Sequence, residues 1–121
     1  MIQSDSRLPK LTVRFFVSAE GNEPVREWLR ALPDVARKRI GDEIRAMQFG
    51  WPVGMPLVRK LDVDLWEVRV NLRGGAAQVL FTVVENAAVL VHGFLKKSQK
   101  TPKEDLDLAR KRRNQVLGAN R

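Results

Sequence analysis

The run from Asp64 to Lys97, DLWEVRVNLRGGAAQVLFTVVENAAVLVHGFLKK, constrains the fold more than any other part of the chain. It opens on strict alternation. Trp66, Val68, Val70 and Leu72 fall on one side of an extended segment, and Glu67, Arg69, Asn71 and Arg73 on the other. That two-residue period predicts a strand with one face in a core and the other open to solvent or ligand. Gly74-Gly75 then supplies a tight turn into AAQVLFTVVE, and Asn86-Ala87 turns the chain again into AVLVHGFLKK. Successive β-rich segments joined by such short turns predict an antiparallel meander.

The flanking segments complete the layout. Lys10–Ser18, KLTVRFFVS, is rich in β-branched and aromatic residues and reads as a first strand. After EGN, with Asn22 as a cap and Pro24 in the first turn, Val25, Trp28, Leu29 and Leu32 recur at helical spacing. Pro33 breaks that helix. A second follows, striped by Ala36, Ile40, Ile44 and Met47 and ending near FGWP. LVRKL is a short strand or extended arm before the meander. Thr101-Pro102-Lys103-Glu104 has the form of a capping box, opening a last helix with Leu106, Ala109, Val116 and Leu117 as its apolar stripe. The expected fold is α+β, in the order β-α-α-β-β-β-β-α. A helical hairpin packs on one face of a twisted antiparallel sheet whose other face is partly uncovered. With 121 residues and no repeat or linker-like shift, residues 1–121 are expected to form one domain.

Composition narrows the chemistry. The absence of cysteine removes disulfides, thiolate metal sites and cysteine nucleophiles. The opening MIQSDSRLPK lacks a signal-peptide apolar core, and no apolar run reaches membrane-spanning length, so a cytoplasmic location is expected with no membrane partner. Asp62 and Asp64 alone do not make a magnesium site, and no metal or other cofactor is expected. No P-loop, dinucleotide glycine motif or Ser-His-Asp arrangement is present. The formal charge is +8, and the segment from Lys96 onward holds nine basic and three acidic residues. An excess of that kind favours a polyanionic partner, most commonly nucleic acid.

The outward side of the alternating strand is where such a partner would sit. Arg69 and Arg73 lie there with Glu67 and Asn71, while Gln78 comes near them through the hairpin and Lys96 and Lys97 leave the last strand at its end. An arginine, amide and lysine set of this kind suits a phosphodiester, because Arg grips oxygens bidentately and Lys brings a compact charge. His92, the single histidine, sits in the apolar LVHGF and reads first as a core imidazole. Trp28 and Trp66 fall on core faces. Trp51, in a Gly/Pro turn, is left as the candidate for stacking on a base.

LWEVRV, the hairpin, and VLFTVVENAAVLVHGFLKKSQKTPKEDLDLARKRR together resemble the RelE/HigB-type toxins of bacterial toxin–antitoxin systems, within a phage-associated HigB-like branch. The resemblance runs from about Lys60 to Arg113, and GFLKKSQKTP is its most specific part. It implies a ribosome-dependent mRNA endoribonuclease, working without metal, that inhibits translation and is neutralised by a cognate antitoxin, commonly a helix-turn-helix protein. Ribosome and mRNA would be its other partners. Carried over by position, Arg69, Lys96, Lys97 and Gln78 would form the catalytic set. Lys60, Arg73, Lys100, Glu67 and His92 would be the further RNA contacts. Relatives usually carry arginine where this chain has Gln78, and often a tyrosine before it; this chain has no tyrosine. Those departures keep two other readings open: a catalytically silent RNA- or antitoxin-binding module, and a ParE-like gyrase inhibitor.

Overall fold

The structure, a computed structural model, describes residues 8–96 and 101–119. Its elements are β1 (Thr12–Phe15), α1 (Pro24–Ala31), α2 (Asp34–Gly50), β2 (Val58–Asp62), β3 (Leu65–Leu72), β4 (Gly75–Val84), β5 (Ala87–Lys96) and α3 (Lys103–Ala119). This is the expected α+β order. The five strands form one sheet, ordered β1-β5-β4-β3-β2. β3 to β5 are the predicted antiparallel meander and β2 extends it antiparallel to β3, whereas β1 joins β5 in parallel, so the complete sheet is mixed.

Each element follows from local chemistry. Proline stands at the start of α1, where its fixed φ helps and its missing N–H costs nothing. Pro33 then separates the two helices, because it cannot continue the first yet readily precedes the second. The expected caps shift slightly. Asn22 donates its backbone N–H to Ser18 Oγ at 3.0 Å instead of capping α1, and Glu23 takes the cap position. At α3, Leu106 N–H bonds to Pro102 O at 3.0 Å, which places the cap at Pro102, one residue beyond Thr101. Gly74, at φ 84°, takes the left-handed turn that joins β3 to β4.

The sheet has a core on each side. One face packs Val68, Val70, Ala77, Val79, Phe81 and Leu90 against Val25, Ile40, Ile44 and Met47 of the helical hairpin. Trp51 belongs here. Its ring meets Trp66 edge-on at 5.3 Å and Phe81 at 5.7 Å, so it is half-buried against the hairpin-side core. Trp28 also lies on this side, directly over Gly93; a Cβ at that position would overlap the indole carbons Cε3 and Cζ3. The second face is more covered than the alternation implied. Leu65, Leu80, Val89 and Val91 pack there against Leu106, Ala109, Val116 and Leu117 of α3.

Arginines fix α3 on this second face. Arg110 Nε and Arg113 Nη1 donate to Asp62 Oδ2 at 2.8 and 3.1 Å, and Arg113 also reaches Val63 O at 2.7 Å. Arg112 Nη1 donates to Val91 O at 2.8 Å, with its guanidinium 5.4 Å from the Phe16 ring. What reads as a basic tail is largely a set of clamps. Their position leaves the end of the second face nearest the first turn of α3 to a group of polar residues that is itself largely buried.

Candidate functional site

Strand register arranges that end of the face as a grid. Arg59 pairs with Glu67, Glu67 with Leu80, and Leu80 with His92. One row along, Arg69 pairs with Gln78 and Gln78 with Phe94; the next row runs Asn71, Ala76 and Lys96. Paired residues share a face, so Arg59, Glu67, Arg69, Gln78 and Lys96 are all presented on the α3 side. The predicted meeting of Arg69, Gln78 and Lys96 therefore exists. Lys97 and Lys100 lie outside the described residues.

The centre of the patch is a buried polar chain. Glu67 is 1% exposed and Gln78 0%, so neither is the open surface residue that alternation predicts for Glu67. Gln78 Nε2 donates to Glu67 Oε1, and Glu67 Oε2 accepts from Arg59 Nη2 at 3.0 Å. The same Arg59 nitrogen reaches Thr101 Oγ1 at 3.4 Å. A carboxylate taken this far from water needs such partners on both oxygens. Gln78 Oε1 finds none among the described residues.

Around this chain stand the cations. Arg69 is half-buried, and its guanidinium has no hydrogen bond or ion pair among the described residues. Lys96 is buried. That burial holds its ammonium below the usual lysine range; Arg59 and Arg69 push the same way, while Glu67 and Asp105 oppose them. Arg73 is exposed in the β3–β4 turn, beside Lys96 across a groove lined by Leu72, Gly74, Gly75, Ala76 and Leu95.

One expected contact falls elsewhere. Lys60 pairs with Trp66 and sits 5.7 Å from its ring, on the hairpin side of the sheet, so it is not part of this patch. The residue facing the patch from β2 is its neighbour Arg59, which the sequence reading passed over. Its signal was register: Arg59 lies opposite Glu67 only once LVRKL is known to pair antiparallel with β3. His92 lies on the same face as the patch, in the row of Glu67 and Leu80. A bulge at Val91 shifts the phase of β5, so His92 faces α3 and its Nε2 meets Asp105 Oδ1 at 2.7 Å. The ring also stacks on Phe94 at 5.4 Å. No group of three or more His, Asp or Glu placed to hold a metal ion occurs among the described residues, and no helix there is long and apolar enough to cross a membrane.

Fold and patch define a small α+β protein with a partly buried cationic patch at one end of its sheet. The model of the phage-derived Gp49-like family (DUF891) matches residues 27–114, from α1 to the last turns of α3. The chain belongs to that family, a toxin-like family of toxin–antitoxin systems. No curated protein matches it.

Proposed function

We propose that this protein is the toxin of a type II toxin–antitoxin system and a metal-independent endoribonuclease of the RelE/HigB type. It would cut mRNA on the ribosome and be silenced by a helix-turn-helix antitoxin. The observation that carries this reading is the convergence of Arg59, Arg69 and Lys96 around one buried carboxylate and amide at one end of the sheet. Family membership supports the toxin role, and with it an antitoxin partner.

The chemistry follows from those groups. A ribose 2′-OH gives up its proton to solvent and attacks the adjacent phosphorus; the new O–P bond forms as the P–O5′ bond breaks, giving a cyclic phosphate and, once the 5′-oxygen is protonated, a free 5′-hydroxyl. Arg69 binds the non-bridging oxygens as charge grows on the phosphorane. Lys96, with an ammonium easier to deprotonate than an ordinary lysine's, passes its proton to the leaving 5′-oxygen. Lys97 adds positive charge beside it. Glu67 touches no substrate in this scheme; it positions Arg59 and Gln78.

Inducing the chain should arrest growth and leave cleaved transcripts. Arg69→Ala should reduce cleavage by about 10²–10³-fold, the usual cost of one preorganised donor, and relieve the arrest, as should Lys97→Ala. Induction that leaves transcripts and translation intact would sink the proposal. One observation favours a second reading, a catalytically silent RNA-binding module: Gln78 turns its amide inward to Glu67 and brings no charge to the patch. RNA bound but uncut with ribosomes present would establish that alternative.

A further inference from the structure

Beside Arg69, the segment before β2 forms a shallow cleft lined by Met55, Pro56, Leu57, Arg59, Glu67 and Arg69. Its two walls differ in chemistry. On one side stands an apolar ledge whose Met55 is 74% exposed, one of the large hydrophobic side chains left in water. On the other stand two arginines with donors to spare. Arg59 uses only Nη2 among the described residues, bonding Glu67 and Thr101, and so keeps Nε and Nη1 for a ligand. Arg69 lies two residues beyond Glu67 on β3 and is a diagonal neighbour of Arg59, about 7–8 Å away by sheet geometry. Arg69 N–H bonds to Leu57 O at 3.2 Å, which ties the ledge to the cationic strand.

We propose that this cleft is a nucleotide subsite for single-stranded RNA: Arg59 and Arg69 grip a phosphate, and Met55–Pro56 carries the adjoining base. The proposal rests on the RNA reading of the neighbouring patch and extends it to residues on β2 and the segment before it. Three features select this ligand. Paired guanidinium groups match phosphate oxygens. A polarisable thioether beside a proline ring offers a flat apolar surface to any base without reading its hydrogen-bonding edge. The cleft is also small, at ≈ 80 Å³, well below the roughly 300–1,000 Å³ of pockets that enclose a free small molecule. A mononucleotide would leave most of its surface outside; a strand crossing the cleft uses it as one step among several. Glu67 then has a second effect: by holding one edge of Arg59 it aims the other outward.

The test is equilibrium binding of a fluorescent, unstructured RNA of about twelve nucleotides to the full-length chain over a range of salt. Arg59→Ala should weaken binding by about 3–10-fold near physiological salt and make the slope of log K against log salt shallower by about 0.7, the loss of one phosphate contact. Met55→Ser should weaken binding by about 2–10-fold with the slope unchanged, as expected for lost stacking. Val35→Ser, an equally exposed residue on α2, should change nothing. Thermal unfolding of each variant separates lost binding from lost fold. Wild-type affinity in both folded variants would overturn the subsite, as would affinity for a single nucleotide equal to that for the oligomer, or an absence of RNA binding by the wild type. Cleavage on ribosomes is scored separately. A wild type that binds through Arg59 and Met55 without cutting keeps the subsite and removes the nuclease. A wild type that cuts, with both variants binding as it does, removes only the subsite. Binding of an acidic peptide in preference to RNA, lost in the same variants, would overturn the RNA assignment in favour of a protein partner.

Discussion

Glu67 spends one carboxylate oxygen on Gln78 and the other on Arg59, and this sharing explains why a buried acid persists in a cationic patch. Without it, Arg59, Arg69 and Lys96 would lose one of the acids that offset their charge, and the Gln78 amide would lose its partner. Removing the carboxylate therefore acts twice. Glu67→Ala should destabilise the fold by about 1–3 kcal/mol, the cost of stranding a buried polar group, and should also loosen RNA binding by releasing Arg59. Glu67→Gln keeps an acceptor for Gln78 and should lose less stability. Urea unfolding of the three proteins measures this; an alanine variant as stable as the wild type would mean that Gln78 re-pairs elsewhere. At this scale the sequence was half legible. Arg69 and Gln78 stand opposite each other as the alternation and hairpin allowed, whereas the burial of Glu67 could not be read from parity. Parity assigns a face and is blind to what covers that face. Here Thr101, just before α3, reaches Arg59 on that face from more than thirty residues away in sequence.

Elements with an uninterrupted period were readable, and those with a register shift were not. β3 kept strict alternation and was placed correctly. In β5, one extra residue at Val91 moves His92 to the α3 side, where it bonds Asp105; the bulge leaves no mark in the apolar run LVHGF. In β2, pairing breaks between Lys60 and Asp62, so which of Arg59 and Lys60 faced the patch was undetermined until the partner strand was known. The excess of basic residues from Lys96 onward points to a polyanionic partner, because helix spacing says nothing about a carboxylate on the β2–β3 connection. Asp62 now joins β2 to α3. A backbone hydrogen bond from Val63, with donors from Arg110 and Arg113, holds its carboxyl at about 2 instead of 3.8. A depressed carboxyl favours the folded state above its unfolded value and loses that contribution as pH falls through the folded one. The stability gap between wild type and Asp62→Asn should thus be constant above pH 5 or so, shrink as pH drops below 3.8, and close near pH 2. Urea midpoints across that range would show it. A gap that stays constant down to pH 2 would mean the clamp does not depend on ionised Asp62.

For the molecule as a whole, where the charge is committed matters more than its sum. A formal +8 invites the picture of an evenly sticky cation. Yet Arg110 and Arg113 are engaged with Asp62, Arg112 with a backbone carbonyl, Lys103 with Asp107, and Arg37 with Asp34 and three carbonyls. Arg59, Arg69 and Lys96 are the cations that strand register gathers on one face at the end of the sheet. Salt dependence distinguishes the two pictures, because each phosphate contact on a single strand contributes about −0.7 to the slope of log K against log salt. Contacts from Arg59, Arg69 and Lys96 give roughly −2, and adding Lys97 and Lys100 gives about −3.5. If the whole surplus acted together, the slope would approach about −6. A measured slope between −2 and −4, made shallower by Arg59→Ala or Arg69→Ala and untouched by Lys111→Ala on α3, is the expected result. A slope near −6 that falls equally for every basic residue removed would mean that RNA spreads over the whole surface and that the sheet end holds no defined track.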